Sequence, residues 1–306
     1  METVLELKGV TKKIRGNTII KGMDFSVKKG QIYGFLGPNG AGKTMTLRMI
    51  VGLIKPTTGQ VMINGHSVTR DFVKAMAQVG CIIENPELYE YMSGYNNLLL
   101  LSRMEPGIDE KRIHQVVEMV GMERRVHDKV STYSLGMKQR LGIAQALMKQ
   151  PKLLILDEPS NGLDPAGIRE FRQLVKSLAA DHGMTILISS HLLSEVQMMC
   201  DEVAIILHGN LIKTARVDAL GRDQKVTWEV QRMDQVPQVM QLLREQFGME
   251  ALDHGDGRVS GFVEDDRLPH INAAFVQAGI ELLFVCKQSK NLEELFLELT
   301  GGETIG

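Results

Sequence analysis

Four short, unbroken apolar stretches are spaced along the chain: Ile32-Tyr33-Gly34-Phe35-Leu36, Leu153-Leu154-Ile155-Leu156, Thr185-Ile186-Leu187-Ile188 and Val203-Ala204-Ile205-Ile206-Leu207. Runs of this length without polar alternation suit strands covered on both faces, as in parallel sheets. Between them the period becomes helical. Met45 to Leu53 follow the first run, Leu141, Ala144, Leu147 and Met148 precede the second, and Ile168, Phe171, Leu174, Val175 and Leu178 precede the third. The last of these helices carries full boundary signals, with Asp164 at the N-cap, Pro165 at the first position and Gly183 past the final turn. Strands alternating with helices predict an α/β fold. Residues 86–150 break the alternation with helical signals alone, such as Ile113, Val116, Val117 and Val120 between a capping Asp109 and Gly121. A mostly helical subdomain is expected there. The core closes with the Val203 run, a His208-Gly209-Asn210 turn and Leu211-Ile212.

Near Leu220 the pattern changes character. Val226–Val230 reads as a strand, Val236–Phe247 as a helix, and Met249–Val263 as two strands across the Asp253-His254-Gly255-Asp256-Gly257 turn. Leu268–Gly279 then reads as a helix and Ile280–Cys286 as a strand, which gives the β-α-β-β-α-β order of a ferredoxin-like α+β domain. A last helix is expected from Leu292 to Leu299, with Leu292, Leu295, Phe296 and Leu299 on its apolar face and Glu293, Glu294 and Glu298 toward solvent. The expected division is residues 1–218 and 219–306, with no internal repeat.

Composition excludes several functions. The 306 residues carry 35 basic and 37 acidic side chains, a formal charge of −2, so no global field recommends nucleic acid as a partner. Cys81, Cys200 and Cys286 are too scattered for a disulfide framework or metal cluster and read as reduced core residues. The 18 methionines read as core filling. The aliphatic run Leu98–Leu101 is far short of the roughly 20 residues of a membrane span, and the N-terminus lacks a signal-peptide layout. A cytoplasmic chain is expected.

Chemistry sits where the apolar runs end. Directly after the first comes Gly37-Pro38-Asn39-Gly40-Ala41-Gly42-Lys43-Thr44, which fits the phosphate-loop pattern G-x-x-x-x-G-K-[ST] between a strand and a helix. Its glycines let successive N–H groups converge on phosphate oxygens at a helix N-terminus. Lys43 brings a point charge to the β- and γ-phosphates of ATP, and Thr44 offers a hydroxyl to Mg²⁺. The second run ends in Asp157-Glu158, at the strand end where open α/β sheets keep their ligands. Asp157 can reach the Mg²⁺ shell there. Glu158 can orient and deprotonate an attacking water, since phosphoryl transfer asks the protein mainly for positioning and charge stabilisation.

With these motifs in place, the chain from about Val4 to Ala215 resembles the nucleotide-binding subunit of an ABC transporter. Ser134-Leu135-Gly136 with Gln139-Arg140 resembles that family's signature motif, with Leu135 where glycine is commonest and Met137 where glutamine is. Asn161-Gly162-Leu163-Asp164 resembles its D-loop, and His191 falls at the switch-histidine position. The resemblance implies a phosphate-loop NTPase with two ATP held between two copies of the cassette. Ser134, Gly136 and Asp164 would address the partner's nucleotide, and His191 would sense the γ-phosphate. It also implies a separate membrane permease and a peripheral position on the inner face of the membrane. Two residues depart from the pattern. Glu84 stands at the Q-loop position, where it could approach Mg²⁺ and the water but would repel Glu158. Ile14 stands where an aromatic ring usually stacks on adenine. A Glu at the Q-loop resembles the bacitracin-type and lantibiotic-immunity branch of peptide-antibiotic exporters. Tyr89, Tyr91 and Tyr95 lie where the family meets its permease, although rings there could equally cover the helical subdomain's own core. An ATP-dependent clamp with little turnover stays open as an alternative; a non-transport ABC ATPase would need a coiled coil or a second cassette that the sequence lacks.

Overall fold

The structure is a computed structural model and describes residues 2–105, 107–218, 224–264 and 266–289. The chain divides into two compact units between Ala215 and Arg216.

The first unit is built on two sheets. One is antiparallel and four-stranded, in the order β2-β1-β4-β5, from β1 (Thr3–Ile14), β2 (Asn17–Lys28), β4 (Thr58–Ile63) and β5 (His66–Ser67). The other is six-stranded, in the order β10-β9-β3-β8-β7-β6, from β3 (Ile32–Leu36), β6 (Val79–Ile82), β7 (Leu153–Asp157), β8 (Thr185–Ser190), β9 (Glu202–Leu207) and β10 (Asn210–Arg216). The four pairings from β9 through β3, β8 and β7 to β6 are parallel. The unbroken apolar runs become β3, β7, β8 and β9, whose residues are almost all buried because the sheet is covered on both faces. One core joins the two sheets through α1 (Lys43–Ile50): Leu5, Leu7, Ile20, Met23 and Phe25 meet Leu47, Ile50, Phe35, Ile155 and Leu187. The other face carries α6 (Pro165–Ala180) and α7 (Leu193–Met199). At Gly34 a Cβ would lie 2.8 Å from Val196 Cγ1, so α7 presses directly on β3.

Helices α3 (Gly94–Met104), α4 (Glu110–Met119) and α5 (Leu135–Leu147) pack on one another where the helical insert is expected. Their starts follow the sequence signals: Ser93, Asp109 and Ser134 each accept a hydrogen bond from the N–H three residues on. A short helix, α2 (Phe72–Met76), precedes β6.

The second unit places β12 (Ala251–Asp253), β13 (Arg258–Val263), β11 (Gln224–Val230) and β14 (Leu282–Ser289) side by side in that order, every pair antiparallel. With α8 (Val236–Phe247) and α9 (Leu268–Gln277) this is the ferredoxin-like arrangement, around a separate core of Val226, Trp228, Val239, Leu243, Ile271 and Phe275. The expected helix at Leu292–Leu299 lies outside the described residues.

One expectation needs correction. Cys81 is exposed and Cys286 half-buried, so of the cysteines Cys200 alone is a core residue. β6 is the edge strand of its sheet, which leaves one side of Cys81 uncovered. Burial pushes the Cys200 thiol up from its ordinary range, so it stays protonated and unreactive.

Candidate active site

Strand register assembles the site. β8 lies between β3 and β7, pairing Leu36 with Ser190 on one side and Asp157 with Ser189 on the other. The three chains therefore leave the sheet side by side at their C-terminal ends, bringing Gly37, Glu158 and His191 together.

The phosphate loop turns through Gly40 and Gly42, whose φ values of 80° and 107° are left-handed. Gly37 needs no such angle, but a Cβ there would stand 2.4 Å from Ile206 O, so only glycine fits beneath β9. Asn39 and Gly40 are exposed at the loop's tip, Pro38 and Thr44 are half-buried, and Ala41 is buried with its carbonyl accepting from Gly209 N–H at 2.9 Å. Lys43 is only 5% exposed; its Nζ donates to Gly37 O at 2.6 Å and Pro38 O at 3.2 Å and lies 3.0 Å from Glu158 Oε1. No side chain caps the first turn of α1, whereas Asp164 caps α6 by accepting from Gly167 N–H at 2.8 Å. Free N–H groups at a helix start, a buried ammonium and a loop with no room for side chains fit a polyphosphate.

Asp157 is buried at the end of β7 and accepts from Ser189 Oγ at 2.5 Å. The same hydroxyl accepts from Glu158 N–H at 2.9 Å, holding Glu158 at a left-handed φ of 47° that a non-glycine residue rarely adopts. From that position the Glu158 carboxylate spans two partners: Oε1 faces Lys43, and Oε2 meets His191 Nδ1 at 2.6 Å. The arrangement holds a carboxylate between a fixed cation and a group able to donate or accept a proton, beside the free N-terminus of α1.

Glu84 is also at a left-handed φ, 71°, and is largely exposed; it pairs with Arg48 in the last turn of α1. Glu84 and Glu158 are paired with different cations, Arg48 and Lys43 respectively. Ile14 ends β1 half-exposed, just before the Arg15-Gly16 turn. Ser134 caps α5 through Met137 N–H, and Gly136 sits in its first turn. Among the described residues, no three His, Cys, Asp or Glu side chains are grouped to hold a metal. Thr44 and Asp157 would hold Mg²⁺ only together with phosphate oxygens. Tyr89 and Tyr91 are exposed, ring edge to ring, 5.9 Å apart, while Tyr95 turns inward against His114 and His127.

Sequence reasoning missed the residues that hold this machinery in place: Arg48, Ser160, Ser189, Ser190 and Glu195. The signal available was two hydroxyls directly before His191, at a strand end where an apolar residue would be expected.

Fold and site together are those of an ATP-binding cassette. Residues 20–161 match the ABC transporter family. The chain is 48% identical over 301 residues to an ABC transporter ATP-binding protein, YhcH, of Bacillus subtilis (98% of this chain, 97% of that protein). It is 41% identical over 308 residues to the bacitracin transport ATP-binding protein BcrA of Bacillus licheniformis, covering both chains fully. Among solved structures, an ATP-binding subunit of an ABC transporter aligns with TM-score 0.63 and 30% identity over 72% of this chain and 92% of that one. A dimeric cassette in a post-hydrolysis state bound to ADP and Pi aligns with TM-score 0.61 and 25% identity over 70% and 98%. The chain belongs to the ATP-binding subunits of ABC transporters and is an ATPase. Among the described residues no helix is long and apolar enough to cross a membrane.

Proposed function

We propose that two copies of this chain close over two ATP and cleave them to drive export of a peptide antibiotic or a related amphipathic compound through a separate membrane permease. The observation that carries the reading is the cluster of Lys43, at the start of α1, with Glu158 and His191, which follow the ends of the adjacent strands β7 and β8. The γ-phosphate takes the place of Glu158 and the loop carbonyls on Lys43, which frees the Glu158 carboxylate to orient and deprotonate the attacking water. His191, next to Glu158, contacts the γ-phosphate from β8. Mg²⁺, when bound by Thr44 and Asp157, supplies neutralisation of phosphate charge. Glu84 acts beside the water once released from Arg48, and Ile14 packs on the adenine. Ser134 and Gly136 at the start of α5, with Asp164, face the nucleotide of the second copy.

The cargo class rests on relatives: besides BcrA, the lantibiotic transport ATP-binding protein SrtF of Streptococcus pyogenes is 40% identical over 215 residues, 70% of this chain and 92% of that one. Exposed Tyr89 and Tyr91 suit a contact with the permease at the cytoplasmic face of the membrane. The test compares Glu158→Gln with Lys43→Ala in complexes purified from membranes with the companion chain. Glu158→Gln is expected to keep ATP bound with turnover abolished, and Lys43→Ala to lose nucleotide. Wild-type turnover in Glu158→Gln removes that carboxylate from the base role, and a preparation that carries no membrane protein with it argues against a permease.

A further inference from the structure

Behind Glu158 and His191 lies a second carboxylate that the proposed reaction does not touch. Glu195, in the first turn of α7, is 4% exposed, and its Oε2 accepts from Ser160 Oγ at 2.5 Å and from Ser190 Oγ at 3.2 Å. Both serines are buried too. Its other oxygen, Oε1, is buried without a hydrogen-bond partner. A carboxylate removed from water and only half satisfied is a poor way to stabilise a core, where an apolar side chain of similar volume serves as well or better. What it does achieve is a link. Ser160 lies between Glu158 and Asn161-Gly162-Leu163-Asp164, while Ser190 directly precedes His191 and also accepts from Leu192 N–H at 2.9 Å. The link continues to the start of α5: a Cβ on Gly136 would lie 3.7 Å from Leu163 Cδ2, and one on Gly162 would lie 3.1 Å from Leu135 Cδ2.

We propose that Glu195 is a positioning residue for hydrolysis, locking the segment after Glu158 to the segment carrying His191 so that the two carry one geometry to the γ-phosphate and to the start of α5. The inference rests on the hydrolytic reading of Glu158 and His191. Truncating Glu195 frees the hydroxyls of Ser160 and Ser190 together, and the loss falls on turnover because those hydroxyls bond to Glu195 and Leu192, whereas Ser190 meets the phosphate loop through its backbone carbonyl, which accepts from Gly37 N–H at 3.4 Å and is untouched by the change.

The experiment measures steady-state ATP turnover of the full chain for Glu195→Ala, Glu195→Gln, Ser160→Ala and the Glu195→Ala/Ser160→Ala pair, with Glu158→Gln alongside. Glu195→Ala is expected to lower kcat about tenfold, the scale of one charge-assisted hydrogen bond, with KM for ATP within about twofold. Glu195→Gln keeps a carbonyl oxygen for both hydroxyls and should stay within about threefold of wild type. The pair should be no slower than Glu195→Ala alone, because both changes cut one link. A Glu195→Ala kcat within twofold of wild type, a rise in KM alone, or losses that multiply in the pair overturn the proposal. Should Glu195→Ala not fold, Ser160→Ala decides: a tenfold kcat loss supports the link and a wild-type kcat overturns it. Turnover that persists in Glu158→Gln instead overturns the hydrolytic reading beneath it.

Discussion

Ser189 stands opposite Asp157 in the β7–β8 ladder, and its single hydroxyl both donates to Asp157 Oδ1 and accepts from the backbone N–H of Glu158. One oxygen thereby fixes a proposed metal-shell carboxylate and the strained backbone of the proposed base. Ser189→Ala leaves two buried polar groups unpaired, which costs about 1–3 kcal/mol each before relaxation. The expected outcome is a loss of thermal stability together with at least a tenfold fall in kcat. Calorimetry and an ATPase assay on the same preparation check it; a stability loss with unchanged kcat would show that Ser189 holds the sheet and nothing more.

Gly37 is a second point where the backbone allows one residue. Its φ is ordinary, so Gly37→Ala carries no conformational strain; the clash is with Ile206 O, a backbone atom of a buried strand that cannot move aside cheaply. Overpacking of this kind costs about 1–3 kcal/mol. Because the loop must shift to relieve it, ATP affinity should fall with stability, measurable by titration with a fluorescent ATP analogue.

The sheet of the ATPase core was legible because its strands are buried on both faces and so read as unbroken apolar runs, with Asp157, Glu158 and His191 falling at their ends. The phosphate loop and the caps at Asp109, Ser134 and Asp164 were legible for a related reason: each is a local device completed within a few residues. The β1–β2 hairpin was not. Its register shifts near Gly9, between Leu7 and Val10, break the period-two alternation that marks a half-covered strand. The Ser160–Glu195 and Asp157–Ser189 links were equally hidden, because they join residues more than thirty apart whose meeting depends on the order of the strands. Glu84 shows the opposite failure. Its position along the chain was readable, but its partner Arg48, on a different element, was not.

That pair yields a prediction about the Q-loop. Arg48 and Glu84 are substantially exposed, so their ion pair contributes at most about 1 kcal/mol and less in high salt. Arg48→Ala should leave the melting temperature nearly unchanged. Glu84→Ala should keep ATP bound while turnover falls several-fold, if the carboxylate works beside the water; Glu84→Gln, which retains an acceptor, should be milder. Equal turnover in all three proteins would assign Glu84 a purely surface role.

The second unit offers its own reporter. Trp228 is the chain's single tryptophan, fully buried, with its indole N–H donating to Asn272 Oδ1 at 2.9 Å and its ring meeting Phe275 edge-on at 5.6 Å. A buried indole N–H needs its acceptor. Asn272→Ala removes the acceptor and should cost about 1–3 kcal/mol, whereas Trp228→Phe together with Asn272→Ala removes both halves and should cost less than the two separate changes summed. Emission excited at the tryptophan should be blue-shifted in the native protein and move to the red as this unit unfolds, giving the denaturation midpoint of Asn272→Ala directly. A midpoint equal to wild type would mean that water replaces the amide without cost, contrary to the full burial of the ring.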